Sequence, residues 1–458
     1  MVEFDAFYLS RIQFAFTTAF HILFPTLTIG LAVFLVVLEA LWLRTGQDTY
    51  YRLYRFWVKI FALAFGIGVV SGVVLSFEFG LNFSEFSNFA GDVLGPLVGY
   101  EVLTAFFMEA GFLGIMLFGW RRVGPGLHFL ATVLVAIGTT FSAFWILSAN
   151  SWMQSPVGYQ IGPDGTAQVT DWVQVVFNPT FPTRLMHMVN ASFTTSAFVV
   201  AGVSAWYLLR DRHVFLMRRA FSIAIGLTLL LAPLQAFLGD RQGLNTLEHQ
   251  PVKVAAMEGH WETVTEAPLV LFAWPNMAEA RNDYAVEIPY LGSLILTHSL
   301  DGELQGLKSV PPEDRPYVPL VFFAFRIMVG IGLIMIAVAV VGAWLRHRGR
   351  LYDASWYLTA VIWTAPLGFV ATIAGWVVTE TGRQPWVVYN VMRTADGLTP
   401  SIETGEVAFS LAVLFIVYAV LLFSFLYYLF KFIRQGPDMD EALPHQDRTV
   451  LGHMAPGG

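Results

Sequence analysis

Residues 318–350 read VPLVFFAFRIMVGIGLIMIAVAVVGAWLRHRGR. Between Val318 and Trp344 stands a single charge, Arg326, and the run closes on Arg346, Arg348 and Arg350. A helix rising 1.5 Å per residue over that length crosses the ~30 Å hydrocarbon core of a bilayer. Runs of the same kind occupy 12–43, 54–79, 96–119, 126–150, 182–209, 217–238, 318–344, 356–380 and 406–433. The fold class expected is an all-α integral membrane protein with nine transmembrane helices. Composition agrees: 56% of the 458 residues are hydrophobic and 13% charged, against about 25% charged in soluble domains. A soluble enzyme and a disordered chain are excluded. With 26 Lys and Arg against 33 Asp and Glu, no basic surplus exists to bind nucleic acid. Cysteine is absent, which excludes disulfides, iron–sulfur clusters, thiolate-ligated heme and covalent c-type attachment. Redox chemistry has to rest on His, Met, carboxylates or a non-covalent cofactor.

Basic residues set the orientation. Arg44, Arg52, Arg55, Lys59, Arg121, Arg122, Arg210, Arg212, Arg218, Arg219, Arg346, Arg348, Arg350, Lys431 and Arg434 fall on one side, while loops 80–95 and 151–181 hold none. The N-terminus is therefore expected outside and the C-terminus in the cytoplasm. The acidic start Met-Val-Glu-Phe-Asp gives no expectation of a cleavable signal. Four parts follow: spans 1–6 in 1–238, an external segment 239–317, spans 7–9 in 318–434, and a tail 435–458 expected to be disordered. No internal repeat of the kind found in many transporters is present.

An ionisable residue within a span costs about 2.5–3.5 kcal/mol on insertion scales. Glu39, Arg55, Lys59, Glu78, Arg184, Arg218, Arg219, Glu406 and Lys431 lie near span ends and read as interfacial. His21, Glu101, Glu109, His187, Arg326 and Glu380 remain. His is the usual axial ligand of b-type heme; the alternative for each His is an interior side chain held by hydrogen bonds. Met328 offers His187 a partner ligand, and Arg326 could neutralise propionates, although two residues' separation points it away from Met328. Trp376 and Glu380 share a helix face, and Gly382 and Pro385 end that helix beside Arg383. Glu101 and Glu109 are eight residues apart, ~12 Å along a regular helix and about 80° around it. That spacing suits a water-bridged proton relay on adjoining faces. Two independent carboxylates between helices suit it equally.

The chain resembles subunit I of the cytochrome bd-type quinol oxidases. Gly382-Arg-Gln-Pro-Trp386, preceded by Glu380 and Trp376, carries the resemblance most specifically. Ser10-Arg-Ile-Gln-Phe-Ala-Phe16 leading into His21, Phe325-Arg-Ile-Met328, Trp145 to Gln154, and Lys253-Val-Ala-Ala-Met-Glu258 before Trp261-Glu262 add to it. The resemblance implies His187 and Met328 as axial ligands of a low-spin heme b. It implies His21 and Glu380 as ligands of two high-spin hemes, a heme b and a heme d or a further heme b in its place, with Glu101 at that pair. It further implies a proton path through Glu101, Glu109 and Ser142, quinol chemistry at Lys253 and Glu258, and Arg326, Arg383 and Trp376 near the hemes. The outer segment runs from Ile288-Pro-Tyr through Lys308 to Val310-Pro-Pro without a large insertion, as in the short-loop branch. The implied activity is oxidation of ubiquinol or menaquinol at the outer face with reduction of oxygen to water. The implied partners are a second large hydrophobic subunit, optionally a small single-helix subunit, and the lipid of a bacterial cytoplasmic (inner) membrane. Two other classes use some of the same residues: a diheme quinone electron carrier and a proton-coupled transporter.

Overall fold

The computed structural model describes residues 5–441 and 443–444. Among them, nine helical spans are long and apolar enough to cross a membrane. They run Ala6–Thr45, Asp48–Asn82, Ser84–Phe118, Pro125–Gln154, Trp172–Leu208, Val214–His249, Pro312–His347, Ser355–Thr381 and Thr404–Gln435. Each expected run lies within or closely over one of these. The helices are longer than the apolar runs because their more polar ends continue as helix. Span 6 reaches His249, so the segment expected from 239 begins at Gln250.

Spans 1 and 5 form the centre. Span 1 packs on spans 2, 4, 5, 8 and 9, and span 5 on spans 1, 4, 6 and 8. Small residues allow this. A Cβ on Gly30 of span 1 would overlap Ser196 of span 5, and Ser196 Oγ donates to the Leu27 carbonyl at 2.8 Å. Without a hydrophobic drive between helices in lipid, such close approach and hydrogen bonding hold the bundle. Span 9 lies at the edge and exposes Phe409, Ile416 and Phe423.

Two spans depart from regular helix. Pro366 divides span 8 into Ser355–Thr364 and Leu367–Thr381. Span 3 carries a π-helical stretch over Glu101–Phe106, which the sequence pattern does not announce. A π turn advances each residue through a smaller angle than an α turn, so the regular-helix geometry expected for Glu101 and Glu109 does not hold.

Residues 250–317 form a structured cap. Helix Pro251–Glu258 leads to an antiparallel hairpin of Leu269–Asn276 and Arg281–Ile288, then helix Leu291–Thr297. The hairpin packs on span 7 through Phe272 and Trp274 against Phe323. At the opposite end the basic span termini gather. Arg55 pairs with Glu441 at 2.7 Å, and Arg52 donates to the Asp438 carbonyl at 2.8 Å. Of the tail 435–458, for which disorder is expected, residues 442 and 445–458 lie outside the described residues, as do residues 1–4.

Candidate functional site

His21 lies in span 1 against span 2. Its Nδ1 is 3.0 Å from Ser71 Oγ, and that hydroxyl also reaches the carbonyls of Ile67 and Gly68 at 3.0 Å. A hydroxyl proton given to one carbonyl leaves the oxygen to accept from Nδ1–H. Nε2 is then the free lone pair, the arrangement that orients a ligating imidazole. Gly72 lies under the ring: a Cβ there would stand 3.0 Å from Cε1.

His187, the low-spin candidate, instead faces an amide N–H donor, which bonds a ring lone pair rather than accepting a ring N–H. Gln235 Nε2 lies 3.2 Å from Nδ1 and 3.3 Å from Nε2 of His187, and Asn190 donates to Gln235 Oε1 at 2.7 Å. Gly239 backs the ring, with a Cβ there 3.3 Å from Cε1. Met328 is backed by Gly375 of span 8, where a Cβ would stand 2.8 Å from the sulfur. Spans 5 and 7, which carry the two residues, both pack on span 6.

Glu380 ends span 8 in a buried polar cluster. It pairs with Arg383 and accepts from Asn150 at 2.9 Å and Gln154 at 3.4 Å. Lys253 Nζ donates to Gln154 Oε1 at 2.6 Å. Arg184 lies within electrostatic reach of Glu380 and Arg383. Two buried arginines and a buried lysine thus face one carboxylate. Nε and Nη1 of Arg383 and Nε of Arg184 are buried without a protein partner. Buried cations in excess are costly unless an anion joins them. The set fits the propionates of a heme better than it fits an empty polar pocket. Trp376 is half-buried one turn before Glu380.

Glu101 accepts from Ser142 Oγ of span 4 at 2.8 Å. Gly138, one turn away on span 4, meets Glu109: a Cβ there would stand 2.6 Å from its Cγ. Both carboxylates therefore face one side of span 4, not adjoining sides. The π turn supplies the missing rotation.

Arg326 is not free toward a heme. It donates to the carbonyls of Met257 at 2.6 Å and Leu271 at 3.2 Å and to that of Val270, stacks over Phe322, and lies 3.8 Å from Glu258. It ties span 7 to the cap and compensates Glu258. Lys253 and Glu258 share one short helix but face different neighbours. Lys253 turns to the Glu380 cluster, where burial and the adjacent Arg184 and Arg383 push its amine well below the usual lysine range. Burial pushes the Glu258 carboxyl up, and Arg326 opposes that.

Three residues read as interfacial are buried. Arg184 is 9% exposed, Glu78 3% and Glu39 1%. Glu78 accepts from Thr17 at 2.7 Å, one turn from His21 along span 1. Glu39 accepts from His128 at 2.6 Å. Arg184 was within reach of sequence reasoning, since it stands three residues before His187 and so shares its face.

Residues 9–437 match the family described as cytochrome bd terminal oxidase subunit I. The chain belongs to that family. It is 37% identical over 452 residues to "Cytochrome bd ubiquinol oxidase subunit 1" of Bacillus subtilis (strain 168), covering 96% of each chain. It is 34% identical over 514 positions to "Cytochrome bd-II ubiquinol oxidase subunit 1" of Escherichia coli (strain K12), covering 97% of this chain and 99% of the relative. That alignment is longer than the 458 residues here, so the relative carries insertions, in keeping with the short segment between spans 6 and 7. "Putative cytochrome bd menaquinol oxidase subunit I" of B. subtilis is 30% identical over 445 residues, covering 96% of this chain and 99% of the relative. The solved bd oxidase of Geobacillus thermodenitrificans superposes with a TM-score of 0.88 at 32% identity, over 95% of this chain and 100% of that one. The cytochrome bd fold thus accounts for the nine spans and for the cap.

Proposed function

We propose that this chain is the quinol-oxidising, heme-holding subunit of a bacterial terminal oxidase. Two quinols and one oxygen give two quinones and two waters. The observation that carries this is the buried cluster at Glu380, with two arginines and a lysine around one carboxylate, in a chain matching the family over residues 9–437. A diheme electron carrier has no use for that cluster or for the paired carboxylates of span 3.

His187 and Met328 would hold the low-spin heme b. His21 and Glu380 would hold the two high-spin hemes, a heme b and a heme d or a further heme b, with Glu101 beside that pair. When bound, these groups carry electrons from quinol and bind oxygen.

The chain's own residues handle charge and protons. Glu258 takes a proton from quinol at the outer cap, and Arg326 stabilises the carboxylate that must form first. Arg184, Arg383 and Lys253 compensate propionates and fix Glu380 through Gln154. Glu109 receives protons from the cytoplasmic side and passes them toward Glu101, whose carboxyl Ser142 orients. Quinol protons released outside and oxygen's protons drawn from inside move charge across the membrane without a pump. The chain works in the bacterial cytoplasmic membrane with a second large hydrophobic subunit and, optionally, a single-helix subunit. Span 3 leaves Leu103 and Phe107 exposed beside Glu101, the stretch such a subunit would cover.

The test is a reduced-minus-oxidised spectrum and pyridine hemochrome of the purified complex, with quinol-driven oxygen uptake. One low-spin and two high-spin hemes, with carbon monoxide binding at the latter, are expected. A heme-free protein, or one with low-spin heme alone, would overturn the reading.

A further inference from the structure

Beneath the basic end of the bundle lies a polar cluster that the scheme above does not use. Glu39 of span 1 accepts from His128 Nδ1 at 2.6 Å and from Thr132 Oγ1 at 2.5 Å. Tyr54 of span 2 shares a hydrogen bond with Thr132 at 2.9 Å. Glu39 and His128 are each 1% exposed, and Tyr54 and Thr132 are fully buried. The imidazole lies on Trp120, ring centroids 3.8 Å apart, in the turn between spans 3 and 4. Its Nε2 is buried without a protein partner.

A buried carboxylate and imidazole joined by one hydrogen bond hold a shared proton, and a bare Nε2 gives a second entry point. The inward stripe of span 4 then leads away from the pair. His128, Thr132, Val135, Gly138 and Ser142 are spaced by three or four residues and face the bundle interior, with Thr139 beside Gly138. Gly138 touches Glu109, whose Oε1 is buried and unpartnered. Ser142 bonds Glu101. From Thr132 to Gly138 is ~9 Å along the axis, an interval two or three waters bridge.

We infer that Glu39 and His128 form the cytoplasmic proton-loading pair that feeds Glu109 along span 4. The inference rests on the oxidase reading above. A proton from the cytoplasmic side binds Nε2 and makes an imidazolium beside the carboxylate. Nδ1 gives its proton to Glu39, and Glu39 releases one through Thr132 toward Glu109. One proton enters and one leaves, so the charge is restored, and a flip of the imidazole that turns its N–H back to Glu39 resets the pair for the next proton.

The test uses the complete oxidase in liposomes. Glu39→Gln keeps the shape and can still bond both His128 and Thr132, but it cannot accept and release the proton. Heme content, spectra and single-turnover heme reduction by quinol should match the unaltered enzyme. Steady-state oxygen uptake and proton uptake from the cytoplasmic side should fall by about 10²-fold, the range of a lost acid–base group. Glu39→Asp should recover part of the rate. His128→Gly should lose the rate and regain it with added imidazole. Combining Glu39→Gln with Glu109→Leu should cost no more than the slower single variant, because the groups act in series. Normal turnover and proton uptake in Glu39→Gln would overturn the inference. So would loss of heme together with turnover in that variant, which marks a packing role. An unaltered complex lacking heme or quinol oxidation would instead remove the oxidase reading itself.

Discussion

Replacing Gly375 by alanine tests the low-spin ligand pair through a residue that is not itself a candidate ligand. The added Cβ would stand 2.8 Å from Met328 Sδ, whereas non-bonded heavy atoms settle near 3.5–4.0 Å. The sulfur must withdraw by roughly 0.7–1.2 Å. Gly375 lies inside the helix Leu367–Thr381, where alanine is the better residue by about 0.5–1 kcal/mol, so span 8 keeps its fold. The strain falls on the flexible thioether, and overpacking of this size costs about 1–3 kcal/mol. A methionine ligand raises a heme's potential. At about 59 mV per 1.4 kcal/mol for one electron, weakening that bond lowers the low-spin midpoint by about 40–130 mV. The assay is a redox titration of the low-spin band in the purified complex, with total heme measured in parallel. Gly72→Ala serves as the contrast, because its Cβ would press on His21 at 3.0 Å and should disturb only the high-spin signals. An unchanged low-spin potential and spectrum in both Gly375→Ala and Met328→Leu would refute the assignment of Met328.

Glu258→Gln should slow quinol-driven heme reduction and leave every heme spectrum intact. Burial raises the Glu258 carboxyl, and the group must be ionised to take the quinol proton, so reduction should quicken as pH rises through that raised value; stopped-flow rates should lose this limb in the variant, and a limb that survives would return Glu258 to a simple pair with Arg326. His187→Ala should abolish the low-spin band with the high-spin hemes largely retained, and a persisting low-spin band would exclude His187 as ligand. In Glu109→Leu, quinol should still reduce the hemes while oxygen consumption and membrane-potential generation fall steeply; normal values for both would exclude an obligatory path through Glu109.

Nine spans, the end that gathers the basic residues and the isolation of His21 and His187 in apolar sequence were legible because each depends on residues close along the chain. Hydrophobic length decides whether a segment crosses lipid, and a lone ionisable residue stands out against such a segment wherever its neighbours lie. The Gly-Arg-Gln-Pro-Trp stretch behind Glu380 was readable for the same reason: its turn, its charge and its aromatic are all local. What a side chain faces is not local. Glu39, Glu78 and Arg184 stand near span ends by residue count, yet each is buried because a different helix covers that side. Depth follows from sequence position, but cover follows from packing. Arg326 looked available for a propionate until the cap folded over span 7 and supplied carbonyls for its donors. The alignment of Glu101 and Glu109 along one side of span 4 depends on a π turn, a rare form that hydrophobic spacing does not mark. Sequence determined which groups are present and how deep they lie in the membrane. Tertiary structure decided which groups meet, because a meeting across helices joins residues tens to hundreds of positions apart.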